Sequence, residues 1–226
     1  MEKRKLKKFY DRKKRAERIV QRLKKIYPDK LNTALIHKNV WELLVSTILS
    51  AQCTDKRVNE VTKKLFKKYK EFEDYINAKK DGFETDIKST GYYKNKTKNI
   101  LSAAKVVKEK FGGKVPHTMN ELLMIPGVGR KTANVMLSAG FGVVEGIVVD
   151  THVRRFAVRF NLTDHKDPKK IENDLMKLIS KKEWRDFSFN LVKYGQEICP
   201  ARKHDCKNHP LTKIYPKANI IWPKAK

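Results

Sequence analysis

An all-α fold is predicted for this chain, and three observations predict it. Apolar residues recur at three- and four-residue intervals along most of its 226 residues. The runs are punctuated by Pro28-Asp29, Ser89-Thr90-Gly91, Gly112-Gly113 and Asp167-Pro168, which are stop or start signals for helices. Only Gly146 to Val149 looks extended, and four residues do not make a sheet. The length allows one large domain or two small ones with a core that needs no disulfide staples.

In chain order, residues 6–26 carry Leu6, Phe9, Ile19, Leu23 and Ile26 among many basic residues, which predicts an amphipathic helix with a wide polar face. Trp41 to Ala51 is apolar almost all round, with Glu42 its only charge, and is expected to be a buried central helix. Asp55 is expected to cap the next helix, whose Val58, Val61, Leu65 and Tyr69 fall at helical spacing. A helix carrying Ile100, Leu101, Ala104, Val107 and Phe111 should end at Gly112-Gly113. Helices are expected at about 118–125 and 130–141, and another after Asp150. Asp167 then serves as an N-cap with Pro168 at the first helical position, and Ile171, Leu175, Leu178 and Ile179 share a face.

Charge narrows the function. The chain holds 52 Lys+Arg against 25 Asp+Glu, a formal charge of +27, so a polyanionic partner is expected. Nucleic acid is the first candidate and an anionic membrane surface the second. No stretch has the roughly 18 apolar residues of a spanning helix, so no membrane partner is expected. The longest uncharged run, Thr132 to Val144, contains Gly140 and Gly142. The basic N-terminus has no apolar core or small-residue cleavage site, so it does not read as a secretory signal. Three cysteines, Cys53, Cys199 and Cys206, are too few for a disulfide framework, which points to a reducing, intracellular setting.

The most informative segment runs Leu122-Leu123-Met124-Ile125-Pro126-Gly127-Val128-Gly129-Arg130-Lys131-Thr132-Ala133. A helix ends at proline, turns through Gly-Val-Gly, and a second helix starts with two cations. Glycines let the backbone turn tightly and approach a ligand, and first-turn N–H groups make an anion site. The same glycines also suit an ordinary αα-hairpin. Proline before, Arg-Lys after and the net charge favour phosphate binding. An amine attacks only when unprotonated, and Lys131 stands where the helix dipole and Arg130 disfavour positive charge, as Schiff-base chemistry requires. Asp150, after Gly146-Ile147-Val148-Val149, is expected to cap the next helix, which would keep its carboxylate ionised and aimed.

These residues resemble a known family. Ile125 to Ala133, followed by Val149-Asp150-Thr151-His152-Val153, is similar to the helix-hairpin-helix and Gly/Pro-rich Asp loop of endonuclease III, a family of base-excision DNA glycosylases. Leu49-Ser50-Ala51-Gln52-Cys53-Thr54-Asp55 resembles its LSAQ-x-TD segment, and Gly91-Tyr92-Tyr93-Lys94-Asn95-Lys96 its G-x-Y-x-x-K loop. The motifs keep order and spacing from about residue 16 to 215. The resemblance implies two helical domains with DNA in the cleft between them, one over residues 33–145 and the other joining 1–32 to 146–226. It implies a bifunctional glycosylase and AP lyase for oxidised pyrimidines. Lys131 would attack C1′ with Asp150 assisting across the cleft, and β-elimination would nick the strand 3′ to the lesion.

The DNA contacts so implied are Gln52, Tyr92, Gly127, Val128, Gly129, Arg130, Thr132 and His152. Gln52 would fill the space left by an extruded base, and Tyr92 would wedge into the opposite strand. Double-stranded DNA with a damaged base or abasic site is the expected partner, and a monomer working on the nucleoid the expected form. A monofunctional mismatch glycosylase and a non-catalytic DNA-binding protein are the alternatives.

The C-terminal loop departs from the family. Most relatives hold a 4Fe–4S cluster on C-x6-C-x2-C-x5-C, whereas here the positions hold Cys199, Cys206, His209 and Tyr215. Two thiols are a poor substitute for four thiolates, so no cluster and no metal is expected. Zinc on Cys199, Cys206 and His209, completed by His204, is the alternative.

Overall fold

The computed structural model describes residues 2–29 and 32–222. Residues 1, 30, 31 and 223–226, which the expected second domain includes, lie outside the described residues. Among those described there are eleven α-helices and no strand: α1 (Glu2–Ile26), α2 (Val40–Leu49), α3 (Asp55–Lys68), α4 (Phe72–Ile76), α5 (Lys80–Ile87), α6 (Tyr93–Phe111), α7 (Met119–Leu122), α8 (Arg130–Val135), α9 (Thr151–Arg159), α10 (Pro168–Leu178) and α11 (Trp184–Glu197). Two compact units result, one of Thr33–Glu145 and one of Met1–Asn32 with Gly146–Lys226.

In the unit of α2–α8, α2 is the centre. Asn39 caps it by accepting from Glu42 N (2.9 Å), and Leu43, Leu44, Val45 and Leu49 are fully buried. They pack with Val58 and Leu65 of α3, Phe83 and Ile87 of α5, and Ile100, Ala104 and Val107 of α6. Each such side chain contributes about 1.5–3 kcal/mol relative to exposure, so this one core outweighs every local propensity in the unit. Thr54, not Asp55, caps α3: its hydroxyl accepts from Arg57 N, and Asp55 becomes the first helical residue, where its charge still suits the helix N-terminus. The helix expected over 130–141 changes hand-over midway, passing from α8 into a π-helical turn at Met136–Gly140. Gly140 there lies on α2, where an added Cβ would stand 3.2 Å from Leu43.

The other unit packs α1 against α10 and α11, with α9 on α11. The buried seam of α1 is Ala16, Ile19, Val20 and Leu23, spaced three and four apart. Leu6 and Phe9, expected on that seam, are 56% and 37% exposed. The basic face of α1 does structural work as well. Arg15 donates to the carbonyls of Phe160 and Asn161, and Arg12 to Asn161 O, which satisfies acceptors where α9 ends. Asp167 caps α10 by accepting from Lys170 N, with Pro168 at the first position.

Lys8 and Arg12 also hold Asp164, at 2.9 and 2.7 Å. The bonds from Arg12 and then Lys8 lower its carboxyl to about 2. A carboxyl depressed below its unfolded value near 4 adds stability above that value and loses it as pH falls toward 2. Thermal unfolding between about pH 5 and 2 should therefore show wild type losing its advantage over Asp164→Asn across the lower half of that range. A difference between the two proteins that stays constant with pH would refute this.

Candidate active site

The hairpin is built by α7, whose cap Thr118 accepts from Glu121 N, and by Leu122 and Ile125, both buried. Gly127 follows Pro126 with φ +81, and a Cβ there would meet Asn99 Cβ at 2.9 Å. Only glycine fits that position. Val128 is buried in the core, and its N–H donates to Ile125 O at 3.1 Å, which closes the turn. Gly129 differs from Gly127: its φ is −93 and a Cβ would meet nothing within 4 Å. As the N-cap of α8 it supplies no side-chain acceptor to the first-turn N–H groups. Lys131 is exposed in that first turn, between half-buried Arg130 and Thr132.

Gln52 and Tyr92 share a feature that pattern reading does not reveal. Both take left-handed backbone angles, φ 53 and φ 49, and only Asn161 joins them among the described non-glycine residues. Such angles cost about 1–2 kcal/mol per residue and persist where the surroundings enforce them. Tyr92, 65% exposed, is also the N-cap of α6. Lys96 does much of the enforcing. Its buried ammonium donates to Leu49 O and Thr90 O, both at 2.8 Å, tying the end of α2 that leads to Gln52 to the turn that leads to Tyr92. Burial lowers its affinity for a proton, and two carbonyls answer the charge. One turn later on α6, Asn99 packs on Gly127. A single helix thus carries Tyr92, the tie to the Gln52 turn and the seat of the hairpin.

The other unit holds the remaining residues. Asp150 caps α9, its Oδ1 accepting from Val153 N at 2.8 Å. His152 lies half-buried, its Nδ1 3.4 Å from an Arg155 nitrogen. Gly195 of α11 makes room for it, since a Cβ there would fall 2.3 Å from His152 Nδ1. Gly195 was not identifiable from spacing alone, because its neighbour comes from a distant helix.

With these features in place, the comparisons with known proteins are decisive. Residues 45–181 match the HhH-GPD superfamily base excision DNA repair protein family. Endonuclease III of Synechocystis sp. is 45% identical over 213 residues, covering 94% of this chain and 97% of that protein. The chain belongs to the HhH-GPD superfamily of base excision DNA repair proteins. Its fold is the family's helix-hairpin-helix fold: a non-covalent endonuclease III–DNA complex superposes with a TM-score of 0.86 at 39% identity, covering 92% of this chain and 97% of that one. A trapped covalent endonuclease III–DNA intermediate with an estranged adenine matches equally well, by the same four measures.

The C-terminal loop requires a correction. The expectation of no metal on Cys199, Cys206, His209 and Tyr215 does not stand. Cys199, His204, Cys206 and His209 gather with one donor atom from each, all within 4.8 Å of one another. This is the region where endonuclease III resemblance implies a 4Fe–4S cluster, and it is a candidate metal centre. Counting positions along the chain put Tyr215 fourth, but the fold turns Tyr215 under the Arg15 guanidinium, 4.1 Å from its ring centroid. His204 takes the place instead, because the loop closes through space and not by residue count.

Proposed function

We propose that this chain is a bifunctional DNA glycosylase and AP lyase of base excision repair, acting as a monomer inside the cell on duplex DNA with a damaged pyrimidine or an abasic site. The observation that carries this reading is Lys131, exposed in the first turn of α8 beside a glycine cap open to an approaching backbone. A phosphate on the turn would hold the strand, and the amine would reach C1′. Attack forms an N–C1′ bond and releases the base, which leaves with the glycosidic electron pair and takes up a proton. Asp150 stabilises the positive charge that develops on the sugar. The ring-opened Schiff base then loses a C2′ proton, the C3′–O bond breaks, and water frees the lysine. Gln52 and Tyr92, held in strained turns, fill the space the extruded nucleotide leaves and so offset part of the few kcal/mol that flipping costs.

Duplexes with one abasic site or one oxidised pyrimidine test this. With borohydride present, a covalent protein–DNA adduct is expected; without it, a nick 3′ to the lesion. Base release with no adduct would make the chain monofunctional, and tight binding with neither would leave it a DNA-holding protein.

The two hairpin glycines separate fold from function. Gly127→Ala should lower unfolding stability by roughly 2–3 kcal/mol, from its positive φ and the Asn99 clash. Gly129→Ala should change stability by less than about 1 kcal/mol, because alanine is the poorer cap but leaves the unfolded chain less freedom, yet weaken abasic-duplex binding about tenfold by obstructing a charge-assisted backbone contact. Denaturant unfolding and a binding titration measure both. Undiminished binding in Gly129→Ala would remove the phosphate from this turn.

A further inference from the structure

We propose that the loop after α11 is a mononuclear zinc site of the Cys2His2 type, held by Cys199, His204, Cys206 and His209. Four donors mutually within 4.8 Å suit one small ion. Tetrahedral zinc, with bonds of about 2.3 Å to sulfur and 2.0–2.1 Å to nitrogen, places its donors about 3.3–3.8 Å apart. Cys199 Sγ and His204 Nε2 already stand 3.8 Å apart. A cubane of four irons spreads its outer ligands further and is ordinarily bound by four thiolates, of which this loop offers two. The donor set therefore fits one borderline-soft ion that accepts sulfur and nitrogen together.

The surroundings prepare each ligand. His204 Nδ1 lies 2.7 Å from Arg202 O; that carbonyl can only accept, so the proton sits on Nδ1 and the Nε2 lone pair faces Cys199. His209 Nδ1 is buried with no hydrogen-bond partner, an orphaned ring nitrogen in a site otherwise well satisfied. Arg159 is fully buried, and its guanidinium donates to Cys199 Sγ at 3.1 Å and Cys206 Sγ at 2.9 Å. Both sulfurs thus accept from one buried cation, and Cys206 Sγ also donates to Asn219 Oδ1 at 3.2 Å, so the two sulfurs are held in place on the side of the loop that faces α9. The site pins the loop to α9 through Arg159, and it stands whether or not Lys131 is the nucleophile.

The full chain, expressed with both iron and zinc supplied, should purify with about one zinc per chain. Exchange for cobalt should give the visible bands of a tetrahedral thiolate site. His204→Ala should drop zinc below about a tenth of wild type, His204→Cys should retain it, and Tyr215→Phe should leave it unchanged. A chelator should lower the unfolding temperature of wild type and of Tyr215→Phe alike. Stoichiometric iron with acid-labile sulfide, a metal-free protein, or full zinc in His204→Ala would each overturn the assignment. So would zinc loss in Tyr215→Phe.

Discussion

Lys131→Ala is expected to abolish the borohydride-trapped adduct and to lower base excision on the order of 10³-fold or more, the scale set by removing a nucleophile from its own step. Binding should barely change. One exposed lysine among 52 basic residues contributes about one phosphate contact, so the slope of affinity against salt should fall by about one at most. Lys131→Arg sharpens the test, because a guanidinium keeps the charge and stays protonated. Equal loss of adduct in both variants assigns the chemistry to an unprotonated amine. A trapped adduct that survives in Lys131→Arg would assign the nucleophile elsewhere.

Asp150→Asn should separate two roles of one side chain. Asparagine caps helices about as well as aspartate, so the bond from Val153 N survives and unfolding stability should stay within about 0.5 kcal/mol. The negative charge does not survive. Excision of a damaged base should fall about 10²–10³-fold, the usual range for a group that answers charge in the transition state. Cleavage at a pre-formed abasic site should fall less, since its aldehyde needs no departing base and so less help on the sugar. Full excision by Asp150→Asn would reduce Asp150 to a helix cap.

Much of this is legible in the sequence itself. An apolar run with a single charge, Trp41 to Ala51, can only be covered on all sides, and α2 is so covered. Asp167-Pro168 is a local signal with a local effect, and α10 begins there. The short helices α4 and α5 escape such a reading, because five and eight residues span too few turns for periodicity to register. The helix α11 does carry a periodic signal, since Trp184, Phe187, Leu191 and Tyr194 recur at three and four. In α1 side-chain size is a poor guide to the buried face, since Ala16 and Val20 line the seam and the larger Leu6 does not.

The candidate site divides the same way. The residue types of the hairpin, the cap at Asp150 and the family were written in contiguous motifs, because turns, caps and first-turn charges are set by neighbours a few positions apart. The left-handed angles of Gln52 and Tyr92, the tie through Lys96, the space Gly195 leaves for His152 and the choice of His204 over Tyr215 needed the folded chain. Each depends on atoms brought together from distant positions, where packing density and loop closure, not spacing, decide which group meets which.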